Sequence, residues 1–437
     1  MTRRAGRAGS TGRAGAGAAL GAAGFGVALL LAVSGCTGSD SETRGPVAAT
    51  AAPSTTAPPA TESAPTTAAP APADKAPGAA PLTGAFHPTG DPATVADELD
   101  APWSIVTLAD GTVLVDERNT GAIKEIRADG SAGAIGTVPG VAAAGEGGLL
   151  GLAAYVDNTG VVGAASGGTA PTYLYAYLTT ASDNRVVRME LAGGPGAFTL
   201  GQAYDVLTGI PKASNHNGGR ILFGPDGMLY ITAGDANQSS NAQRVESLSG
   251  KILRVTPTGA VPGDNPFPGS PVYSIGHRNP QGMAWSADGT MYAAEFGQNT
   301  WDELNVITPG ANYGWPTVEG LGDGEAGATA NGVTNPIVQW STDEASPSGL
   351  AMVGDTLFMA ALGGERIWSI TVAGDGASQT APAVKDFLVD SLGRIRDVSA
   401  TADGSGLLLL SNNTDGRGSA RAGDDRLARV ALGAGAS

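Results

Sequence analysis

Leu108-Ala109-Asp110-Gly111-Thr112-Val113-Leu114-Val115 runs from an apolar residue through an Asp-Gly pair into a short apolar strand pattern. The unit recurs at Gly224-Pro225-Asp226-Gly227-Met228-Leu229-Tyr230-Ile231 and at Ser286-Ala287-Asp288-Gly289-Thr290-Met291-Tyr292. Val353-Gly354-Asp355-Thr356-Leu357-Phe358 and Thr401-Ala402-Asp403-Gly404 echo it again. Asp-Gly suits the tight turn of a hairpin, because glycine accepts a positive φ that other residues resist. Further strand patterns follow several units, as at Gly121-Ala122-Ile123-Lys124-Glu125-Ile126 and Arg366-Ile367-Trp368-Ser369-Ile370. Long amphipathic helical periodicity is absent from residue 83 onward. Strand pairs recurring along one chain predict an all-β fold, a six-bladed β-propeller over residues 83–437. Six blades give about 58 residues each, against roughly 40–50 for compact blades, so long loops are expected on one face.

The chain before this body reads differently. Arg3, Arg4, Arg7 and Arg13 form a basic start and Gly26–Val33 a short apolar stretch, the pattern of a signal peptide over residues 1–35. Val33-Ser34-Gly35-Cys36 then places small residues before the single cysteine, which resembles a lipoprotein processing site and predicts lipidation at Cys36. Residues 36–82 are almost entirely Ala, Pro, Thr, Ser and Gly, too poor in apolar bulk to fold, and predict a disordered linker. The expected protein is exported and held at the outer face of a bacterial cell membrane by its lipid alone.

The formal net charge is −16, from 25 basic and 41 acidic residues, and removing the leader's arginines makes the remainder more acidic still. Nucleic acid and anionic membrane surfaces call for the opposite sign and are excluded as partners. One cysteine forms no intrachain disulfide and supports no zinc finger or iron–sulfur cluster.

Chemistry therefore rests on the loops. Of three histidines, His87 lies at the linker boundary, while His216 sits in Ser214-Asn215-His216-Asn217-Gly218-Gly219-Arg220, just before a strand. Read alone, His216 is either a solvated loop residue or a neutral imidazole able to take a proton from a hydroxyl. Asp235, in Thr232-Ala233-Gly234-Asp235, is either a turn residue or the partner that orients such a base. Arg278, in Gly276-His277-Arg278-Asn279-Pro280-Gln281-Gly282, carries a planar fork suited to a carboxylate. Glu295-Phe296-Gly297-Gln298-Asn299-Thr300-Trp301-Asp302-Glu303 is either a solvated acidic loop or a set of hard oxygen donors for calcium, without the spacing of an EF-hand.

These segments, together with Gly145–Gly151, Asn312-Tyr313-Gly314-Trp315-Pro316 and Gly393-Arg394-Ile395-Arg396-Asp397, occur in an order that resembles the soluble glucose/sorbosone dehydrogenases. These are aldose sugar dehydrogenases dependent on pyrroloquinoline quinone (PQQ), and the resemblance runs from about residue 98 to residue 433. It implies a six-bladed propeller binding PQQ and calcium at one end and oxidising aldoses to lactones, with an external electron acceptor. It implies His216 as general base, Asp235 as the acid near it, and Arg278 as a group that stabilises charge on the quinone oxygen. Cofactor contacts are implied for Glu146, Arg278, Asn279, Tyr313, Arg394 and Arg396. Gly297 and Gln298 are implied as carbonyl ligands of calcium, with Glu295 in the same acidic loop. Glu146 stands where the family often has glutamine, and Gly363 and Gly364 stand in a turn where it often has a basic residue. A calcium-dependent lactonase and a non-catalytic binding lipoprotein are the rival expectations. A lactonase has no need of Arg278, Arg394 and Arg396 together.

Overall fold

A computed structural model describes residues 82–160, 162, 170–372 and 382–435. The expected signal peptide, Cys36 and nearly all of the expected linker lie outside the described residues.

The described chain is all-β, with one short 3-10 turn at Ser239–Gln243. Its strands form six four-stranded antiparallel blades, one of which carries an added short strand, and a separate two-stranded pair, Thr329–Ala330 with Val333–Thr334. Blade 1 holds Pro102–Thr107, Val113–Glu117, Ala122–Ile126 and Ala132–Thr137. Blade 2 holds Leu149–Val156, Thr172–Thr179, Asn184–Ala192 and Tyr204–Ile210, with Thr199–Leu200 at its edge. Blade 3 holds Ile221–Phe223, Leu229–Ala233, Lys251–Val255 and Val272–Ile275. Blade 4 holds Pro280–Trp285, Met291–Glu295, Trp301–Ile307 and Val338–Ser341. Blade 5 holds Pro347–Val353, Thr356–Ala361, Arg366–Thr371 and Ala383–Phe387. Blade 6 joins the two ends of the body. Ile395–Ala400, Gly406–Ser411 and Leu427–Ala434 are completed by Phe86–Ala96, which pairs antiparallel with Leu427–Ala434.

The repeated Asp-Gly unit marks one structural place. In blades 1, 3, 4 and 6 it turns the first strand into the second, and Gly111, Gly227, Gly289 and Gly404 take φ values between 68° and 89°. The aspartate caps the turn from within: Asp110, Asp226, Asp288 and Asp403 each accept from the backbone N–H two residues on, at 2.9–3.0 Å. Blade 5 makes the same connection with the order reversed, as Gly354-Asp355. Blade 2 alone lacks the marker and connects its first two strands through residues 157–171.

The first strand of each blade is innermost, and neighbouring first strands adjoin one another around the axis. Apolar side chains fill the wedges between blades. Between blades 2 and 3, Tyr155 and Tyr175 pack on Phe223 at ring separations of 4.7 and 5.0 Å. Close to the axis the packing becomes polar. Arg220 donates to Asp397 Oδ2 at 2.9 Å and to Ser104 Oγ at 3.2 Å, while lying over the Trp103 ring. Burial pushes the Asp116 and Asp397 carboxyls up from the usual range, with Arg220 opposing the shift at both.

Candidate active site

Because strands alternate in direction, the loops entering each innermost strand emerge at the same end as the loops joining second to third strands. His216, Arg278 and Arg394 belong to the first set, and Asp235, Gly297 and Asp415 to the second. One end of the propeller thus gathers residues far apart in sequence.

The His216 loop is folded back on itself by Asn217, whose side chain accepts from Ala213 N at 3.1 Å and donates to Ala213 O at 2.9 Å. His216 takes a left-handed backbone, φ 59°. That conformation is held on both sides: its N–H donates to Glu146 Oε2 at 2.9 Å, and its carbonyl accepts from Ala236 N at 3.1 Å. Gly234 makes the approach possible, since a Cβ there would lie 2.1 Å from His216 O.

His216 Nδ1 lies 2.8 Å from Asp235 Oδ1, and His216 Nε2 lies 2.8 Å from Arg278 Nη2. A guanidinium only donates, so Nε2 is the acceptor of that pair and the ring proton sits on Nδ1, donated to Asp235. That tautomer aims the Nε2 lone pair away from the aspartate and onto the Arg278 guanidinium. Asp235 is buried, and its second oxygen accepts from Trp315 Nε1 at 2.9 Å. Arg278 also donates to Gln298 Oε1 at 2.8 Å and to Phe296 O at 3.3 Å. Burial lowers the Arg278 pKa, and Asp235, Glu295, Glu319 and Glu146 oppose the shift.

Glu146 is tied to the base's loop and to blade 6. It accepts from His216 N, from Asn215 Nδ2 at 3.3 Å, and from Arg417 Nη1 at 2.6 Å. Burial works against its charge, but Arg417 and the His216 N–H outweigh it and hold the carboxyl below its usual range. Asn279 accepts from Gly218 N at 3.0 Å, linking the Arg278 segment to the His216 loop.

Arg394 and Arg396 share a single carboxylate, Asp415, at 3.6 and 3.8 Å. Both distances exceed a hydrogen bond, and the Nε atoms of both arginines are buried without a partner. Burial pulls Arg396 down to about 9; Asp415 opposes this, while Arg394 and Arg118 add to it. Unused buried donors from two arginines fit a ligand bearing carboxylates.

The structure separates other expected residues from this cluster. Tyr313 is buried, stacks on His277 at 4.8 Å, and spends its hydroxyl on Val306 O (2.6 Å) and Thr308 N (2.9 Å), towards the other end of blade 4. Trp315, two residues on, is the aromatic side chain that reaches Asp235 and lies under Arg278. Glu295 turns its carboxylate to His277 Nδ1, at 2.7 Å, and to the Arg278 N–H, so it positions Arg278 from behind. Gly297 and Gln298 lie in a turn where the N–H groups of Gln298, Asn299, Thr300 and Trp301 all converge on Glu319 Oε1 at 2.6–3.2 Å. Inward N–H groups leave the carbonyls of such a turn facing outward, the donor type that a hard cation takes. Among the described residues no group of three His, Cys, Asp or Glu side chains is placed to hold a metal. Gly363 has Ser346 Oγ 2.5 Å from where a Cβ would stand, and Arg366 pairs outward with Asp386 at 2.9 Å.

Sequence reasoning missed Arg118, Asp415 and Arg417. The last two sit in Asn413-Thr414-Asp415-Gly416-Arg417-Gly418, whose polar, glycine-punctuated run before the last strand was the available signal.

Comparison with known proteins agrees with this geometry. Residues 99–420 match the family described as Glucose / Sorbosone dehydrogenase. The chain is 32% identical over 359 residues to the aldose sugar dehydrogenase YliI of Escherichia coli, covering 74% of this chain and 92% of that one. It is 31% identical over 274 residues to quinoprotein glucose dehydrogenase B of Acinetobacter calcoaceticus, a match that spans 55% of each chain, about half that relative's length. The solved PQQ-bound form of an aldose sugar dehydrogenase from Streptomyces coelicolor superposes with a TM-score of 0.71 at 45% identity, covering 81% of this chain and all of that one. A six-bladed ring, a histidine backed by a buried aspartate, and arginines with unspent donors at the same end agree with these matches, and the chain belongs to the glucose/sorbosone dehydrogenase family.

Proposed function

We propose that the protein is a quinoprotein that oxidises aldose sugars, with PQQ and calcium bound at the His216 end of the propeller. The observation that carries this reading is the chain Asp235–His216–Arg278, in which both neighbours of the imidazole leave Nε2 as its only basic atom. Pyrroloquinoline quinone, when bound, supplies an acceptor for the hydride of the sugar's anomeric carbon. Arg278, Arg394, Arg396 and Asn279 would hold it, and the carbonyls of Gly297 and Gln298 would bind the calcium.

The chain's own residues account for the proton. His216 Nε2 takes it from the anomeric hydroxyl, and Asp235 stabilises the imidazolium that results. Arg278 caps Nε2 at 2.8 Å. An anionic ligand that draws the guanidinium away uncaps the base, so cofactor binding and base activation are coupled through one side chain. Trp315, fixed to Asp235 and lying under Arg278, lines the same space. The product is a lactone, and turnover needs a separate electron acceptor. We place the protein outside the cytoplasm on a lipid attached to Cys36, a reading supported by the small residues Val33-Ser34-Gly35 before it.

Reconstitution of the purified protein with quinone and calcium tests the activity. Sugar-dependent dye reduction that needs the quinone and is lost on chelation is the expected result. Quinone-independent lactone hydrolysis, or no quinone binding by folded protein, overturns it. Release of Cys36→Ala from the membrane fraction is expected, and an unchanged distribution overturns the tether.

A further inference from the structure

The opposite end of the ring carries an opening that the catalytic reading does not use. Between blades 3 and 4 lies a cavity of about 440 Å³, lined by residues that include Asp226, Tyr230, Tyr273, Trp285, Thr290 and Thr308. Asp226 belongs to the turn between the first two strands of blade 3, and Trp285 ends the innermost strand of blade 4. Both positions lie a full strand length from the loops that hold His216 and Arg278.

The lining has a definite chemistry. Tyr230 is buried and forms the floor. Tyr273 and Trp285 are half-buried and meet the Tyr230 ring nearly edge-on, at 5.1 Å and 85° and at 5.2 Å and 65°. Two aromatic walls thus rise from one aromatic floor. The polar groups sit at the rim. Asp226 Oδ2 accepts from the Tyr230 hydroxyl at 2.9 Å and from Arg254 Nε at 3.0 Å, and Oδ1 accepts from Met228 N at 3.0 Å. Its charge is thereby matched by a guanidinium, whose Nη2 also lies 2.9 Å from Oδ2, and the acceptor capacity left over is on Oδ1. The Trp285 indole N–H has no hydrogen-bond partner among the described residues. Thr290 and the exposed Thr308 add hydroxyls.

An ion gains little here, because the one carboxylate in the lining is already paired. A purely apolar ligand would strand the indole N–H. The walls call for a flat apolar face and the rim for several hydroxyls, and a pyranose ring presents both. We propose that this groove is a second, non-catalytic carbohydrate site that takes a neutral pyranose. The inference rests on the groove alone and does not depend on the dehydrogenase reading of the other end.

The test uses the full chain labelled with 5-fluorotryptophan and titrated with methyl α-D-glucopyranoside, whose blocked anomeric carbon cannot be oxidised. The chain has six tryptophans, and loss of one fluorine resonance in Trp285→Phe assigns Trp285. A ligand of this size binds on the order of millimolar when well seated. The expected result is a saturable shift of the Trp285 resonance in that range, abolished in Thr308→Arg, which fills the groove from an exposed position. An unmoved Trp285 resonance well above that concentration overturns the proposal. So does a shift confined to the other tryptophan resonances, or a Trp285 shift that persists in Thr308→Arg.

Discussion

Replacing Asp235 by asparagine changes one atom and strikes at the assignment of the base. Three N–H donors converge on this carboxylate: His216 Nδ1 at 2.8 Å, Asn237 N at 2.9 Å and Trp315 Nε1 at 2.9 Å. A carboxylate accepts from all three, whereas an amide offers one accepting oxygen. If that oxygen faces His216 and Asn237, the new NH2 confronts the indole N–H. If the amide turns over, the NH2 confronts the imidazole, whose proton then moves to Nε2, the atom that has to accept. Either arrangement forfeits a charge-assisted hydrogen bond, worth about 1.5–3 kcal/mol. Turnover should therefore fall roughly 10–150-fold, short of the roughly 10²–10⁴-fold loss expected when His216→Gln removes the base altogether. Dye reduction at saturating quinone and calcium measures turnover, and a separate absorbance titration measures quinone affinity, which should hold because Asp235 does not touch the Arg394 cluster. Near-normal turnover in Asp235→Asn, or a loss explained wholly by weaker quinone binding, would refute the role given to the pair.

Glu146→Ala leaves the left-handed His216 N–H without its acceptor, and kcat/KM should fall by about 1 kcal/mol, or roughly fivefold. Arg417→Ala should cost less, since this arginine is 48% exposed and its ion pair is screened; comparing the two kinetic constants checks the order. Gly363→Lys should tighten quinone binding only weakly, because its Cβ meets Ser346 Oγ, and adding Ser346→Gly should release the gain; quinone titrations of the single and double variants read this out. Asp116 keeps its proton in the folded chain at pH values where the unfolded chain has lost it, so its contribution to stability falls as pH rises above the usual aspartate range. Asp116→Asn should therefore narrow the difference in Tm between about pH 5 and about pH 8.

The fold was legible because its punctuation is local. An Asp-Gly turn is set by two adjacent residues and recurs at the same place in four blades, with the reversed pair in a fifth. The pairing of His216 with Asp235 was legible for a related reason, since the two lie on loops flanking the first two strands of one blade, 19 residues apart. What stayed hidden depends on rotation and on distance. Tyr313 and Trp315 are aromatic residues two apart in one motif, and only the path of the backbone decides which of them faces Asp235. Glu295 looks like a metal ligand in sequence, yet its strand turns it towards His277 and the Arg278 amide. Arg417 is 271 residues from Glu146, so no local signal announces the ion pair that joins them. The aromatic groove is assembled from separate blades, and its residues read individually as core.

The clasp between Phe86–Ala96 and Leu427–Ala434 has a consequence for the order of folding. The ring nitrogen of His87 meets the carbonyl of Gly435 across 348 residues, so the strand synthesised first is the one seated last. Until it arrives, Leu427–Ala434 is an open sheet edge, with unpaired N–H and C=O groups able to recruit a strand from another chain. Contacts this distant in sequence are slow to form, which lengthens that exposure. Leu427–Ala434 is also an interior strand of its sheet, lying between Gly406–Ser411 and Phe86–Ala96. Cutting the chain before it would remove a middle strand and strip Phe86–Ala96 of its one strand partner among the described residues, so a deletion at one terminus would be felt as unfolding at the other.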